Sequence, residues 1–598
     1  MGRILAKSCI VLLATLVMVS CGPKTEAPPT PQPAPAPAPA PAPKPAPAPA
    51  PAPSAMVIPD VPIPEVPGVA AEGILLAQDG VSEYRLVIEP GASPSERLAA
   101  AEIQTHFKAC TGAELPIVEG KPAEAVPMIV LGCGPTAEGL GVNPAPEDLG
   151  DQGYVLITVG KNVVIAGSAA AGTLYGARDF LEADLGVRWY APDETRTPEL
   201  KTAYARERGE QKVVQPSFEW RLTSYEWPGG DETFRARRGE NNGTGGPDNE
   251  LGIQYAHDGR CHTYSRFIRP EEYFDQHPEY FSEIGGKRVR DETQLCLTNP
   301  EVLELVTEKM LQRMREHPEY VQQNFSQSDY YSYCECKNCA AMNEAMGTAG
   351  GTQFWFVNQL AERTSKEFPN ILIGTLAYMY TEEPPKDMRM HPNVAVWLCH
   401  MYPSCQSHPI ATCEKNANFK RRAQRWAEIC DHLYIWYYIV DFAHYYNPYP
   451  NFGAMAADYK FFHDIGVEGI YSQGMGHSGG GGEFSLLRPY YATEFMKDQS
   501  QDPDVVMYDF FQGYYGAAAP HIYRYAKMLQ QKVDTDNIHM HLYTNPGQGY
   551  LTDEIVAAGE ELFNRAEEAV AGDEKLLERV RVCRMPLVYA RWFPRNGY

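Results

Sequence analysis

The stretch "SQSDYYSYCECKNC", residues 326–339, brings together residue types that could carry out two kinds of chemistry. Asp329 places a carboxylate beside tyrosine rings. This is typical of a sugar site, because flat apolar faces stack on pyranose rings while polar groups reach the hydroxyls. The cysteines that follow have the spacing C-x-C-x-x-C and could bind a metal or form disulfides. Which chemistry applies depends on the fold that positions Asp329 and on the compartment of the protein.

Paired carboxylates are the usual requirement for glycoside hydrolysis: one donates a proton to the leaving oxygen, and the other activates water or attacks directly. Asp329 follows the strand-like run "VQQNFSQS" and is our candidate for the general acid; the alternative is a loop aspartate that caps a turn. Asp441, at the end of "LYIWYYIVD", is the leading candidate for the second carboxylate. The competing candidates are Glu226, Glu382, Glu383 and Glu483.

Aromatic residues and histidines crowd the ends of the predicted strands. The candidates for substrate binding are Tyr330, Tyr378, Tyr380, Trp436, His400 and His477. No H-E-x-x-H spacing occurs, so the histidines are predicted to be hydrogen-bonding groups rather than metal ligands. We expect catalysis to need no cofactor.

The three cysteines of the opening stretch are Cys334, Cys336 and Cys339. They could supply three ligands of a structural zinc site, with a fourth from another cysteine or a histidine. In an oxidising compartment they could instead form disulfides, for which Cys296 is a candidate partner. A nucleophilic role is the least expected, because no base is adjacent. Zinc and disulfide remain alternatives at this point.

The first residues indicate export. Arg3 and Lys7 precede the apolar run "CIVLLATLVMV", so residues 1–20 are predicted to be a lipoprotein signal peptide. The run ends in "MVSC", which resembles a bacterial lipobox with Cys21 as the lipidated residue; the alternative is an ordinary secretory signal cut elsewhere. Gly22 after the cysteine favours the outer membrane. We therefore expect a protein of the bacterial cell envelope that contacts the membrane through its lipid anchor only.

A spacer follows the signal. Residues 21–68 are a linker rich in proline and alanine, which should adopt an extended polyproline conformation. At ~3.1 Å per residue, its Pro-Ala repeat could hold a domain on the order of 80 Å from the membrane.

The net charge of −24 limits the partners. Nucleic acid is excluded as the expected target, because its phosphates require a basic surface. The charge also argues against a free polyanion as the main target, although one local arginine could still bind a single carboxylate. The expected partner is a glycan substrate.

The rest of the chain predicts an α/β protein of three domains. Residues 69–200 alternate short strands with helices, which indicates a small mixed α/β domain. Residues 215–495 repeat strand-then-helix and predict a central (β/α)8 TIM-like barrel, with seven strand-like runs visible and the eighth expected within 250–290. Residues 500–598 carry apolar residues at helical spacing and predict a C-terminal helical domain.

Two segments also resemble known families. "ERLAAAEIQTHFKACTGAELPI" and "GYVLITVGKNVVIAGSAAAGTLYGARDFLEADLGVRWYAP" resemble the N-terminal domain of α-glucuronidases and β-hexosaminidases, which is structural in that group. "HPEYFSEIGGKR", "LCLTNPEV", "SQSDYYSYCECKNC" and "GVEGIYSQG" resemble an uncharacterised family of bacterial barrel proteins related to α-glucuronidases.

The resemblance implies site residues. Related glycosidases carry their acid at the end of the fourth strand, which by our count precedes Asp329. Hexosaminidase-like barrels carry an arginine on the first strand that binds sugar hydroxyls, which implies a place in the pocket for Arg221. An arginine fork would also suit a sugar carboxylate; the alternative is a buried ion pair.

These observations predict a surface-anchored glycoside hydrolase, exo-acting on glycans that contain acidic or amino sugars. A non-catalytic carbohydrate-binding lipoprotein with a degenerate barrel is the rival from another class. A polysaccharide lyase is a third reading, disfavoured because it would want a basic cleft.

Overall fold

The computed structural model describes residues 58, 60–225, 231–243, 246, 248–259, 261–475, 482–546 and 549–592. They belong to one compact unit, Pro53–Tyr598. The predicted signal peptide, Cys21 and most of the linker lie outside the described residues, as do Glu226 and His477.

The N-terminal part is built on a mixed sheet. Its strands are β1 (Ile74–Gln78), β2 (Arg85–Ile88), β3 (Ile117–Glu119), β4 (Met128–Leu131), β5 (Tyr154–Val159), β6 (Asn162–Gly167), β7 (Arg188–Ala191), β8 (Glu194–Arg196), β9 (Thr202–Ala205) and β10 (Val213–Val214). Its helices are α1 (Pro94–Thr111), α2 (Pro135–Glu138), α3 (Pro146–Leu149) and α4 (Gly172–Leu185). Six strands pair in the order β10-β5-β6-β4-β2-β3, with parallel and antiparallel neighbours.

Helix α1 shows why local signals place these elements correctly. Ser93 accepts a hydrogen bond from the backbone amide of Glu96, and the Glu96 carboxylate accepts one from the amide of Ser93. This capping box satisfies amides that the first turn leaves unpaired. Gly112 ends the helix with a φ of 75°, a left-handed conformation that glycine adopts without strain. The predicted serine cap and glycine stop are confirmed.

The central part carries a parallel sheet. Its strands are β11 (Trp220–Thr223), β12 (Ala256–Asp258), β13 (Glu283–Ile284), β14 (Lys287–Arg288), β15 (Tyr320–Asn324), β16 (Leu372–Ala377), β17 (Val394–Cys399), β18 (His432–Tyr438) and β19 (Gly469–Gln473). Its helices are α5 (Glu232–Arg237), α6 (Tyr264–Phe267), α7 (Pro270–Tyr273), α8 (Pro300–Glu316), α9 (Lys337–Met346), α10 (Gly351–Thr364), α11 (Ala417–Ile429), α12 (Phe452–Asp464) and α13 (Leu487–Lys497). Short 3-10 turns lie at Pro278–Tyr280, Met379–Thr381 and Glu414–Asn416.

Among the described residues, the parallel sheet has seven strands in the order β11-β19-β18-β17-β16-β15-β12. All its neighbouring strands are parallel, so their carboxyl ends meet at one edge. The strand expected within 250–290 is β12. The predicted strand "QLCLTN" is wrong: in this run Leu295 makes one isolated bridge, to Phe281. As a result, Asp329 follows the third strand of this sheet along the chain and not the fourth.

The two end strands of the sheet are linked through Asn241. The backbone amide of Asn241 donates to the carbonyl of Arg221 at 3.2 Å, and the amide of Tyr255 donates to the carbonyl of Asn241 at 2.8 Å. Asn241 therefore bridges the first strand and the residue that precedes the second. Asn241 is not part of a β-ladder. The described residues therefore form a seven-stranded sheet, whereas we predicted a complete eight-stranded barrel.

Aromatic rings fill the inside of the sheet. Trp397 stacks on Tyr434 with ring centroids 4.8 Å apart and meets Trp220 edge-on at 5.0 Å, while His257 stacks on Trp220 at 4.6 Å. Neighbouring positions in these strands pack against the surrounding helices instead, because side chains alternate between the two faces of a strand. The inside is thus a packed core at this level.

The C-terminal part is helical, as predicted. It contains α14 (Pro503–Tyr515), α15 (Ala519–Thr535), α16 (Asp553–Ala569) and α17 (Glu574–Trp592), with a 3-10 turn at Gly516–Ala518. The segment between α15 and α16 returns to the parallel sheet, where the carbonyls of Met540 and Leu542 accept hydrogen bonds from the amides of Gln406 and Phe442. Within the described ranges, no helix combines the length and the apolar character that crossing a membrane requires.

Candidate active site

A cavity of about 290 Å³ opens where the parallel strands end. We call it the strand-end cavity; its lining residues are Cys261, His262, Asp329, Leu376, Tyr378, Cys399, Met401, Trp436, Tyr438, Phe442, Gln473 and Tyr543. It combines one carboxylate and one imidazole with several aromatic rings. Of the candidates from the sequence, the structure brings Asp329, Tyr378 and Trp436 together here.

Asp329 and Tyr378 are in direct contact. The Tyr378 hydroxyl donates to Asp329 Oδ1 at 2.9 Å. Burial and the negative charge of Asp329 raise the pKa of Tyr378 well above its usual value, so the phenol keeps its proton and remains a donor. Tyr378 directly follows β16, whereas Asp329 lies in the loop after β15, with its side chain open to solvent. The contact fixes one carboxylate oxygen and leaves the other available to a ligand.

Gln294 holds the backbone on both sides of Asp329. Its side-chain oxygen accepts from the amide of Ser328 at 2.8 Å, and its side-chain nitrogen donates to the carbonyls of Ser328 and Tyr330 at 3.0 and 3.1 Å. Gln294 is buried, so these bonds are protected from competing water. The run "QLCLTN", predicted as a strand, therefore acts as a buried support for the Asp329 loop.

His262 supplies the imidazole of the strand-end cavity. Its Nδ1 lies 2.8 Å from the carbonyl oxygen of Gln327. Because a carbonyl oxygen can only accept, Nδ1 carries a proton and donates it to this hydrogen bond. Burial lowers the pKa of His262. Hydrogen bonds with Cys261 and the Gln327 carbonyl and the charge of Asp329 outweigh this effect, so the net shift of the pKa is upward. From the sequence, this histidine was expected on a loop or strand end as a hydrogen-bonding residue and was not among the predicted binding residues, because a lone histidine carries no motif.

The aromatic wall comes from two distant parts of the chain. Trp436 lies on β18 and its indole N–H donates to the side-chain oxygen of Gln473 at 2.5 Å, which fixes the plane of the ring. Tyr438 lies two positions further on the same strand face. Tyr543 comes from the segment between α15 and α16 and is 50% exposed. The sequence carried no signal for Tyr543, because its segment reaches the cavity only through tertiary packing.

Asp441 does not share the strand-end cavity with Asp329. It lies beyond the end of β18, is 1% exposed, and accepts a hydrogen bond from the amide of Ala443 at 2.9 Å. Phe442, the next residue, lines the cavity instead. The placement does not support the predicted pairing of the two aspartates, because the turn after the strand directs Asp441 into the protein.

We expect Asp441 to make stability depend on pH. Burial raises its pKa to about 7, against the effect of backbone amides that donate to it. A carboxyl with a raised pKa in the folded state favours folding in its protonated form; this contribution is complete below about pH 4 and is lost as the pH rises through about 7. Asp441→Asn removes this titration. The free energy of unfolding of the variant relative to wild type should therefore increase across this window, by at most about 1.4 kcal/mol per pH unit.

Urea unfolding at several pH values from about 4 to about 8 measures this difference. The range brackets the pKa of the Asp441 carboxyl in the unfolded and in the folded state. The exposed Asp387, changed to asparagine, is the matched control and should show no such trend. A constant difference between Asp441→Asn and wild type would mean that Asp441 is not held in a desolvated environment.

The competing glutamates are engaged in ion pairs. Glu383 accepts two hydrogen bonds of 2.7 Å from the guanidinium of Arg421, which lowers its pKa, and Glu382 pairs with Arg422. These contacts attach the loop after β16 to helix α11. Burial raises the pKa of Glu382 to about 7 even so.

Glu483 is buried and pairs with Arg488. None of these three described glutamates lines the strand-end cavity.

Arg221 is the clearest departure from the prediction. It is 1% exposed, and its guanidinium donates to the carbonyls of Gly239 and Phe218, each at 2.6 Å, and to the side-chain oxygen of Gln152 at 2.8 Å. Trp220 and Leu222, its neighbours on the strand, face the aromatic core, so Arg221 must face the other way, towards the N-terminal part. The predicted role in sugar binding does not fit this placement.

The other predicted binding residues lie near the strand ends but outside the lining of the cavity. Tyr330 is exposed, and Tyr380 stacks on Tyr333 with ring centroids 5.1 Å apart. His400 is fully buried against Phe419, and burial lowers its pKa to about 3. The predictions for Glu226 and His477 fall outside the described residues.

The cysteines of the opening stretch gather behind the Asp329 loop. Cys334, Cys336 and Cys339 are buried together with Cys296, and no disulfide joins them in the structure. Cys336 directly precedes α9, and Cys339 lies in the first turn of that helix. The residue predicted as a disulfide partner is therefore part of the cluster.

The fold and the site define a class: a parallel barrel-type sheet with an aromatic cavity at its carboxyl ends, preceded by a mixed α/β sheet. The chain belongs to the family described as "Domain of unknown function (DUF4838)", whose model matches residues 189–527. A second model, "Glycosyl hydrolase family 67 N-terminus", matches residues 81–180, which confirms the relation to α-glucuronidases indicated by the sequence. No curated protein matches this chain.

Solved structures of glycoside hydrolases resemble this fold. A family GH115 4-O-methyl-α-glucuronidase with specificity for decorated arabinogalactans is 10% identical with a TM-score of 0.52, over 86% of this chain and 72% of that one. The GH20 β-N-acetylhexosaminidase from Streptomyces coelicolor A3(2) is 12% identical with a TM-score of 0.40, over 79% and 97% of the two chains. At such identities, the likeness to the first is one of fold.

Proposed function

We propose that this protein is a glycoside hydrolase whose sugar site is the strand-end cavity. The observation that carries the proposal is the Asp329–Tyr378 pair, a carboxylate held by a phenol inside an aromatic-lined cavity at the carboxyl ends of parallel strands. Active sites of barrel enzymes lie at this edge. The family GH115 fold and the family 67 N-terminal match support the assignment.

In the proposed reaction the Asp329 carboxylate first takes up a proton from solvent and then gives it to the glycosidic oxygen as the bond to the sugar breaks. Tyr378 holds one carboxylate oxygen, so the other can point to the leaving group. Trp436 offers a flat face for the pyranose ring, and its bond to Gln473 keeps that face in one orientation. These residues bind and orient the sugar before the proton moves.

His262 takes the place that we had assigned to Asp441. Among the described lining residues, Asp329 is the one carboxylate, so the second proton transfer needs a different group. The imidazole has its Nδ1 fixed by the Gln327 carbonyl, and its Nε2 can exchange a proton with water. We assign to it the activation of the attacking water.

The proposed substrate is the end of a glycan chain that contains acidic or amino sugars. Tyr543 and its segment cover one side of the cavity, with Leu542 packed into the aromatic core. A cavity walled in this way favours a chain end over the interior of a chain. This finer assignment rests on the proposed activity.

The sheet itself is proposed to be a variant of the (β/α)8 barrel. Asn241 stands between β11 and β12 and makes backbone hydrogen bonds to both sides, as a strand in that position would. In this arrangement it completes the ring that the seven described strands leave open.

A panel of natural glycans and aryl glycosides tests the proposal against its rival, the carbohydrate-binding lipoprotein. Calorimetry measures binding, and chromatography measures release of sugar from the same samples. We expect both binding and release for at least one glycan. Binding without release, at high protein concentration and over long incubation, would support the binding protein instead.

We also propose that the protein is anchored in the bacterial outer membrane through Cys21. The support is the sequence around this residue and the long proline-alanine spacer. Metabolic labelling with palmitate should label the wild type, and Cys21→Ala should remove the label and release the protein from membranes. A soluble and unlabelled wild type would contradict the anchor, whereas Cys133→Ser is a control that should stay labelled.

A further inference from the structure

We propose that Cys296, Cys334, Cys336 and Cys339 bind one structural zinc ion. All four side chains are buried, and their sulfur atoms lie within 4.8 Å of one another. The four cysteines come from separate parts of the chain: Cys334 and Cys336 precede helix α9, Cys339 lies in its first turn, and Cys296 lies in the run before α8. A tetrahedral set of four cysteine thiolates is a common structural zinc site.

The spacing of the sulfur atoms fits a single metal ion. Cys296 Sγ lies 3.7 Å from Cys336 Sγ and 3.9 Å from Cys339 Sγ. Tetrahedral ligands at a Zn–S distance of about 2.3 Å stand about 3.8 Å apart. A disulfide would require about 2.05 Å. A cluster of several iron atoms would need a wider cage than these distances give.

Neighbouring groups can stabilise the negative charge that four thiolates bring to a zinc ion. The backbone amide of Glu283 points at Cys334 Sγ at 3.3 Å, and the Thr298 hydroxyl lies 3.1 Å from Cys339 Sγ. Arg288 places a guanidinium nitrogen 3.9 Å from Cys334 Sγ. Donors around the sulfur atoms are the usual outer contacts of metal-bound thiolates, and they orient the ligands.

The site would fasten the loop that carries Asp329. Cys334 lies five residues after Asp329, and Cys296 lies two residues after Gln294, which holds the backbone at Ser328 and Tyr330. A metal that joins Cys296 to Cys334 would therefore link the run that contains Gln294 to the loop that contains Asp329, at a point after Asp329 in the chain. Zinc here would position Asp329 without touching the substrate.

Metal content is the direct test, measured on the purified full-length chain by elemental analysis. We expect about one zinc per chain in the wild type and a loss of that zinc in Cys336→Ser. Cys405, Cys413 and His539 offer three further ligand atoms, so a count alone could not locate the ion. Cys405→Ser is therefore the matched control and should keep its zinc, as should Cys133→Ser at an exposed position.

A second readout uses the wild type alone, in case Cys336→Ser does not fold. Zinc released by a thiol reagent should appear together with four newly reactive cysteines, and peptide mapping should place them at 296, 334, 336 and 339. The proposal would be overturned by iron in place of zinc, or by four freely reactive thiols without metal. It would also be overturned by disulfides among these cysteines, each of which lowers the mass of the non-reduced chain by two hydrogens. So would zinc that is lost in Cys405→Ser and kept in Cys336→Ser.

Discussion

Asp329→Asn should lower the turnover of a natural glycan by about 10²–10⁴-fold, the usual contribution of a positioned proton donor. The amide keeps the shape of the side chain and can still accept from the Tyr378 hydroxyl, so the cavity and the binding of the glycan should survive. Nitrophenyl glycosides have leaving groups that need little protonation and should suffer much less. The measurement is kcat for both substrate types, with binding followed by calorimetry.

Asp441→Asn is the matched control, because the sequence suggested both aspartates and the structure places only Asp329 in the cavity. Its kcat should stay close to that of the wild type. If Asp329→Asn turns over the natural glycan at the wild-type rate, Asp329 is not the proton donor. A collapse in the Asp441 variant instead would restore that residue to the site.

Arg221→Lys should destabilise the protein by about 2–5 kcal/mol, because a buried charge loses partners on both sides. The guanidinium bonds Gln152 of the N-terminal part and carbonyls beside β11. A lysine carries the same charge but has three donors on one atom and cannot span these acceptors. Urea unfolding gives the free energy of unfolding, and KM for the folded fraction should not change.

Arg269→Lys serves as the control, since Arg269 has a largely exposed side chain and pairs with Glu272 on the surface. It should unfold like the wild type, because exposed ion pairs contribute little. An Arg221→Lys protein of unchanged stability with a raised KM would return Arg221 to the sugar site and contradict the account of the strand faces.

Local signals in the sequence predicted the elements of the N-terminal part well. Helix α1 has a serine cap, a glutamate three residues later and a glycine at its end, and each contributes to the helix by contacts within a few residues. The run "QLCLTN" misled us because a short apolar stretch without its neighbours is compatible with a strand or a buried loop. Its hydrogen bonds go to the Asp329 loop, which only the tertiary structure reveals.

The candidate site was predictable where a residue lies on or directly after the end of a strand, and not where a turn redirects the side chain. Tyr378 directly follows β16 and Trp436 lies near the end of β18, and both were found because strand ends meet at one edge. Asp441 follows a strand as well, but its turn buries the side chain. Arg221 and Trp220 are adjacent on one strand, so their side chains point to opposite faces of the sheet. The sequence shows that the two residues face opposite ways, but it does not show which of them faces inward.

A crystal structure of Asp329→Asn with its glycan bound tests the central claim most directly. The account predicts a pyranose ring against Trp436 and the glycosidic oxygen about 2.6–3.2 Å from the side chain of residue 329, the distance of a hydrogen bond along which a proton can pass. The imidazole of His262 should face the opposite side of the scissile bond with room for a water. A glycan bound elsewhere, or bound in the strand-end cavity with its glycosidic oxygen remote from residue 329, would contradict the account.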